Sequence, residues 1–280
     1  MNNKKPKCIV ISASSDIGLA ICKHWVAKGW QVYGTYRTKS KSLKELGDLG
    51  VSLVHCDLKN KKSIKDACEN MRKLCKKWDI LFICSGTLEP IGPFLTSDFD
   101  KWEDAITINL TSQLRIVHEL AVNRNINNKL EPCVLLFSGG GVNSATLNYS
   151  AYTVSKIALI KMSELLDAEI PDTRFFIAGP GWVKTKIHEE TLSAGELAGG
   201  NYKITKSKLS SNECTSLDKI LSCCDWLVNS SKQIAGGRNF SVVHDCWGSQ
   251  DLSQELLKNT DMYKLRRLNN DWRVRSHNKN

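Results

Sequence analysis

An apolar run at residues 8–11 breaks into a turn of small residues, Ser12-Ala13-Ser14-Ser15-Asp16-Ile17-Gly18. An amphipathic stretch at 19–28 follows, stopped by Gly29, and a second apolar run covers 31–36. Short buried strand, tight turn, helix and strand make a βαβ unit, which forces parallel strands and a helix crossing one face. The helix N-terminus so created presents free backbone N–H groups and a positive dipole end, the natural seat of a pyrophosphate. Further strands are read at 80–87, at 133–138 running into Gly139-Gly140-Gly141, and at 175–185 with a Pro180-Gly181 turn. A chain of 280 residues fits one doubly wound α/β domain, a parallel sheet with helices on both faces.

Tyr152 and Lys156 lie four residues apart on a predicted helix, so they share one face. An ammonium beside a phenol favours the phenolate and is expected to pull the tyrosine pKa down. Such a phenol can give a proton to a carbonyl oxygen or take one from an alcohol. Asn109 sits within a separate helical pattern.

Taken together and in this order, these segments resemble the short-chain dehydrogenase/reductase family from about residue 7 to 243. The resemblance implies a Rossmann-type domain, a nicotinamide cofactor and hydride transfer. It implies that Tyr152 is the acid/base, that Lys156 lowers its pKa and holds the nicotinamide ribose, and that Asn109 holds a relay water. Val183 and Thr185, after Pro180 and Gly181, would orient the carboxamide. Asp57 and Leu58 would meet the adenine, and Ser85 and Gly86 would give the backbone close approach. The phosphate turn would be formed by Ser12, Ser14, Ser15, Asp16, Ile17 and Gly18.

This chain departs from the family pattern at two places. Of the three turn glycines only Gly18 is kept; Ser12 and Asp16 replace the others. A left-handed non-glycine at position 12 would cost roughly 1–2 kcal/mol. Ser14, Ser15 and Asp16 can also cap the helix, which leaves the phosphate site intact. The catalytic serine position, thirteen residues before Tyr152, is Gly139. Ser138 is assigned that role, reached by a slip of the glycine loop, with Asn143 or Ser144 as alternatives.

No acid ends the second strand; Thr35-Tyr36-Arg37-Thr38 stands there. A guanidinium matches a phosphate fork, so Arg37 is assigned to a 2′-phosphate and the cofactor to NADP(H). The net charge of +10 is spread along the chain rather than gathered on one helix with aromatics, which argues against nucleic acid. An anionic cofactor, and possibly an anionic substrate, accounts for it better. The one local cluster, Lys264, Arg266, Arg267, Arg273 and Arg275, falls in a basic tail at 249–280. Eleven cysteines without paired zinc spacing read as free thiols of a cytoplasmic protein, with no metal site. No apolar run reaches membrane-span length, and residues 1–6 form a short polar arm.

Three segments are expected to wall the substrate site: 87–94 with Glu89, 141–144 with Asn143 and Ser144, and a lid at 182–211 with Trp182 and His188. His188 also fits a hydrogen-bonded surface residue, and Trp182 a packing residue. The walls look mixed and polar, suited to a small polar ketone or aldehyde, and the Ser138-Gly139-Gly140-Gly141 loop with the Tyr149-Ser150-Ala151-Tyr152 run is loosely similar to reductases of bacterial cell-surface sugar synthesis. The helix at 151–169 carries more apolar surface than one sheet face requires. The resemblance implies that it and the helix around Asn109 pair with copies of themselves in a homodimer or homotetramer, and a fully buried core helix is the alternative. The leading expectation is an NADP(H)-dependent reductase acting on a sugar or nucleotide-sugar derivative. A redox-neutral epimerase or dehydratase and a non-catalytic cofactor sensor are the alternatives.

Overall fold

The computed structural model describes residues 5–128, 131–211 and 213–268. Among the described residues seven strands form one parallel sheet, ordered β3-β2-β1-β4-β5-β6-β7. They are β1 (Lys7–Ile11), β2 (Gln31–Tyr36), β3 (Ser52–His55), β4 (Ile80–Ile83), β5 (Cys133–Phe137), β6 (Arg174–Gly179) and β7 (Asn239–Ser241). Strand order reverses between β1 and β4, and a ligand crevice opens beyond the carboxyl ends at such a point.

The strands are apolar throughout because both faces are covered. Successive side chains alternate between two cores. Cys8 and Val10 pack with Ile21, Cys22 and Trp25 of α1 (Asp16–Ala27) and with Leu46 of α2 (Lys41–Asp48). Ile9 and Ile11 pack on the opposite face with Ile64 and Met71 of α3 (Lys61–Leu74). Each such side chain, fully buried, contributes roughly 1.5–3 kcal/mol. Trp25 meets Phe82 edge-on, with centroids 4.7 Å apart.

The second half continues the pattern. α4 (Phe99–Ile106) passes through a π-helical turn (Thr107–Thr111) into α5 (Ser112–Ala121), and α6 (Ser150–Glu169) follows β5. Leu120 of α5 and Leu159 of α6 join the α3 face. The lid holds α7 (His188–Ala194) and α8 (Gly200–Ser210); α9 (Leu217–Asn229) and the short α10 (Lys232–Ala235) lead to β7.

The basic tail expected from 249 does not begin as one. It opens with α11 (Gln250–Lys258), whose Leu252 and Leu256 enter the α1 core. Arg238, buried at the head of β7, donates to the carbonyls of Leu256 and Asn259 at the end of that helix. The main-chain N–H of Asn239 then donates to the Tyr263 carbonyl at 2.9 Å, and Arg266 forks onto Glu164 of α6 at 2.7 and 3.1 Å. Arg273 and Arg275 lie outside the described residues.

Candidate active site

A cleft of about 1140 Å³ opens over the carboxyl ends of the strands. It gathers nearly every residue singled out from the sequence. Ser12, Ser14, Ser15, Asp16, Ile17, Arg37, Asp57, Leu58, Ser85, Gly86, Ser138, Asn143, Ser144, Tyr152, Lys156, Pro180, Gly181, Trp182, Val183, Thr185 and His188 all line it. Gly18, Glu89 and Asn109 stand outside that lining.

The phosphate turn keeps its shape with one glycine. Ser12 takes the left-handed conformation, φ +61°, and its N–H donates to Thr35 Oγ1 at 3.0 Å. Ser15 caps α1, its Oγ accepting from the Gly18 N–H at 3.1 Å. Gly18 is required there, since a Cβ would lie 2.3 Å from the Ser12 carbonyl oxygen. Asp16, in place of a turn glycine, faces the lid. Its carboxylate accepts from the Lys186 N–H of the lid at 2.8 Å. Arg37 and Lys59 both line the cleft; Lys59, which no sequence pattern marked, is paired with Asp104 at 3.0 Å.

The catalytic layer departs from expectation. Lys156 is 3% exposed, donates to the Phe137 carbonyl at 2.9 Å and lies 5.7 Å from the Tyr152 ring centroid. Burial brings its pKa down to about 8. Tyr152 is not acidified by this neighbour: burial, then the Glu190 charge, pushes it up to about 12. The ammonium is engaged by a carbonyl and sits over the ring, so desolvation outweighs it. A half-buried phenol of this kind stays protonated at neutral pH.

Ser138 does not take the serine role assigned to it. Its Oγ donates to Asn239 Oδ1 at 3.0 Å. Side chains alternate along extended backbone, and the position facing Tyr152 is Gly139, where a Cβ would lie 2.0 Å from the phenolic oxygen. Asn143 and Ser144 lie exposed on the loop beyond.

Asn109 is fully buried in the π-helical turn. It accepts from the Thr87 N–H at 2.9 Å and donates to the Thr87 carbonyl at 2.8 Å. Gly86 keeps an open approach: a Cβ there would meet Asn109 Oδ1 at 3.7 Å and Lys156 Nζ at 3.8 Å. Left-handed phosphate turn, bare Gly86 and buried lysine together fit a dinucleotide.

On the substrate side Trp182 and His188 stack on each other, centroids 3.8 Å apart. His188 Nε2 bonds the Val183 carbonyl at 2.9 Å, and burial lowers its pKa, so both rings act as packing. Glu89 is exposed. The acid in the cleft is Glu190, which no sequence pattern marked. Next to Tyr152 the wall is apolar where Leu88, Tyr149 and Ile187 line the cleft, backed by Ile91, Ala198 and Tyr202 of the same cluster. The expected polar lining is found at the 141–144 loop and on the lid, where Glu190, Thr191, Asn201 and Thr205 line the cleft.

A family profile described as short chain dehydrogenase matches residues 7–195. The chain is 29% identical over 205 residues to 3-oxoacyl-[acyl-carrier-protein] reductase FabG of Buchnera aphidicola, covering 69% of this chain and 80% of that one. In fold it resembles a short chain dehydrogenase/reductase of Saccharomyces cerevisiae, with TM-score 0.76, 21% identity, and 89% and 98% of the two chains covered. It also resembles a Shigella flexneri short chain dehydrogenase solved with NADP, with TM-score 0.70, 16% identity, and 85% and 96% covered. With the profile spanning well over half its length and the site assembled at the strand ends, this chain belongs to the short-chain dehydrogenase family.

Proposed function

We propose that this protein is an NADP(H)-dependent reductase of a carbonyl compound. The observation that carries the reading is the placement of Tyr152, in front of Gly139 and beside the buried Lys156, in a cleft that fits a dinucleotide. When bound, a nicotinamide dinucleotide supplies the hydride. Tyr152 gives the proton to the substrate oxygen; held at about 12 by burial, the phenol carries that proton at neutral pH, and its release depends on positive charge nearby. Lys156 holds positive charge under the phenol as its proton leaves. Asn109 fixes the Thr87 peptide and with it the loop below the reacting carbon. Arg37, in the lining of the cleft after β2, supports a 2′-phosphate and hence the phosphorylated cofactor.

A small polar ketone, such as a sugar derivative, is the substrate class that the 141–144 side of the cleft supports. A second reading is a 3-oxoacyl thioester. It is favoured by the apolar wall next to Tyr152 and by the activity named for the Buchnera relative. All eleven thiols are free, which supports a reducing, cytoplasmic setting, and the exposed apolar residues of α6 support a homo-oligomer.

The test is NADPH oxidation against sugars, nucleotide-ketosugars, small ketones and 3-oxoacyl thioesters. Tyr152→Phe is run beside it. Turnover is expected to fall by about 10²–10⁴ in the variant, the contribution of a positioned acid, with NADPH fluorescence titration unchanged within about twofold. Full activity in Tyr152→Phe would refute the proton-donor assignment.

A further inference from the structure

Glu190 reaches across the cleft from the lid. Its Oε2 accepts from Leu88 N–H at 2.5 Å, Thr87 Oγ1 at 3.1 Å and Glu89 N–H at 3.2 Å. The other side of the same peptide is held by Asn109, through both the N–H and the carbonyl of Thr87. The next lid residue, Thr191, accepts from the buried Tyr149 hydroxyl at 3.0 Å, one residue before α6 begins. Ile187 of the lid lies over Gly86, 3.9 Å from where a Cβ would be. Thus two consecutive side chains of α7 grip both structures that carry the chemistry, the loop after β4 and the head of α6.

We propose that Glu190, assisted by Thr191, is a positioning residue: it latches the lid onto the Thr87–Glu89 loop and so couples lid closure to assembly of the Tyr152, Lys156 and Asn109 layer. All three donors meet the same oxygen, Oε2, which a carboxylate serves better than a neutral acid does. An ionised acceptor also makes each bond stronger than a neutral one. Burial raises the Glu190 pKa, and the neighbouring Glu89 carboxylate adds to that. The charged and titratable groups around it are Glu89 on the loop, Tyr152 on α6 and Glu189 on its own helix; the Lys156 ammonium lies beyond Gly86. The latch is therefore set to release on mild acidification, at higher pH than an exposed glutamate would allow.

Hydrogen exchange on the full chain tests this without any substrate, so its outcome does not depend on the reductase reading. In Glu190→Ala, exchange at the Leu88 and Glu89 amides is expected to quicken about tenfold, together with that of α7 and of the first turn of α6. Unchanged exchange at Leu88 and Glu89, or quickening confined to those two, overturns the proposal. If Glu190→Ala does not fold, Thr191→Val, which cuts only the Tyr149 tie, is expected to quicken α7 and the head of α6 together; no change there overturns it equally. The kinetic half rests on the reductase reading. In Glu190→Gln, kcat is expected to fall about tenfold, with the Kd for NADPH kept within about twofold and the acid limb of the kcat–pH profile lost. An unaltered kcat and acid limb would show that the contact is only structural.

Discussion

At the scale of single residues, the difference between the expected and the observed site is one step along a strand. Ser138 and Gly139 are adjacent, so extended backbone sends them to opposite sides, and a sequence cannot show which one the loop aims at Tyr152. The structure aims Gly139. Gly139→Ala should therefore displace the phenol rather than the fold: kcat is expected to drop about tenfold while the melting temperature stays put, and unimpaired turnover would contradict the contact. The Tyr152–Lys156 pair itself was legible, because a four-residue spacing on a helix fixes a shared face. Its electrostatics were not legible, because burial and the Phe137 carbonyl are tertiary facts. Lys156 titrates at about 8 in the fold against 10.5 outside it. Between those values the unfolded chain binds more protons than the native one, so stability rises with pH across that window. Below pH 8 the buried ammonium costs the fold roughly 3 kcal/mol. Lys156→Met should flatten that rise, an effect read from denaturant unfolding at pH 7 and pH 10; a parallel pair of curves would refute it.

At the scale of elements, most of the fold could be read in advance. The apolar runs of β1, β4, β5 and β6 are continuous because helices cover both faces, and β1 with α1 announces itself by its small-residue turn. The failures share a cause: they concern segments whose role is set by what they pack against. The phosphate turn has lost two glycines yet keeps its φ +61° position with Ser12, held by the Thr35 hydroxyl from a neighbouring strand. α11 falls inside the segment read as a basic tail because the conspicuous cations Lys264, Arg266 and Arg267 follow it, while its two core leucines carry no such mark. Leu256 is fully buried and the carbonyls near it receive Arg238. Leu256→Ala is accordingly expected to cost about 2–5 kcal/mol, measured as a shift in the urea midpoint. A loss below about 0.5 kcal/mol, the range of surface substitutions, would return α11 to the status of a tail.

At the scale of the whole molecule, the question is what covers α6. One face of that helix is fully used: Ala151, Ser155, Leu159, Ile160 and Ser163 are buried. Another face is not. Val154 is 50% exposed and Leu165 is 40% exposed, and their offset of eleven positions is close to three full turns, so they point the same way. Ala158 completes the stripe at the i+4 position. Twenty residues of helix span roughly 30 Å, long enough for an antiparallel copy of itself to lie along the stripe. The same helix carries Tyr152 and Lys156 on its buried side, so such a contact would brace the catalytic layer from behind. Val154→Glu with Leu165→Glu puts two carboxylates into the contact without touching the core or the cleft, and a close pair of like charges in a desolvated interface is strongly unfavourable. The wild-type chain is expected to run as a dimer or tetramer in light scattering after gel filtration, and the double variant as a monomer with its far-ultraviolet dichroism intact. A wild-type monomer, or a variant that keeps its assembly, would mean that the stripe is bare surface and that α6 is held rigid by its own core alone.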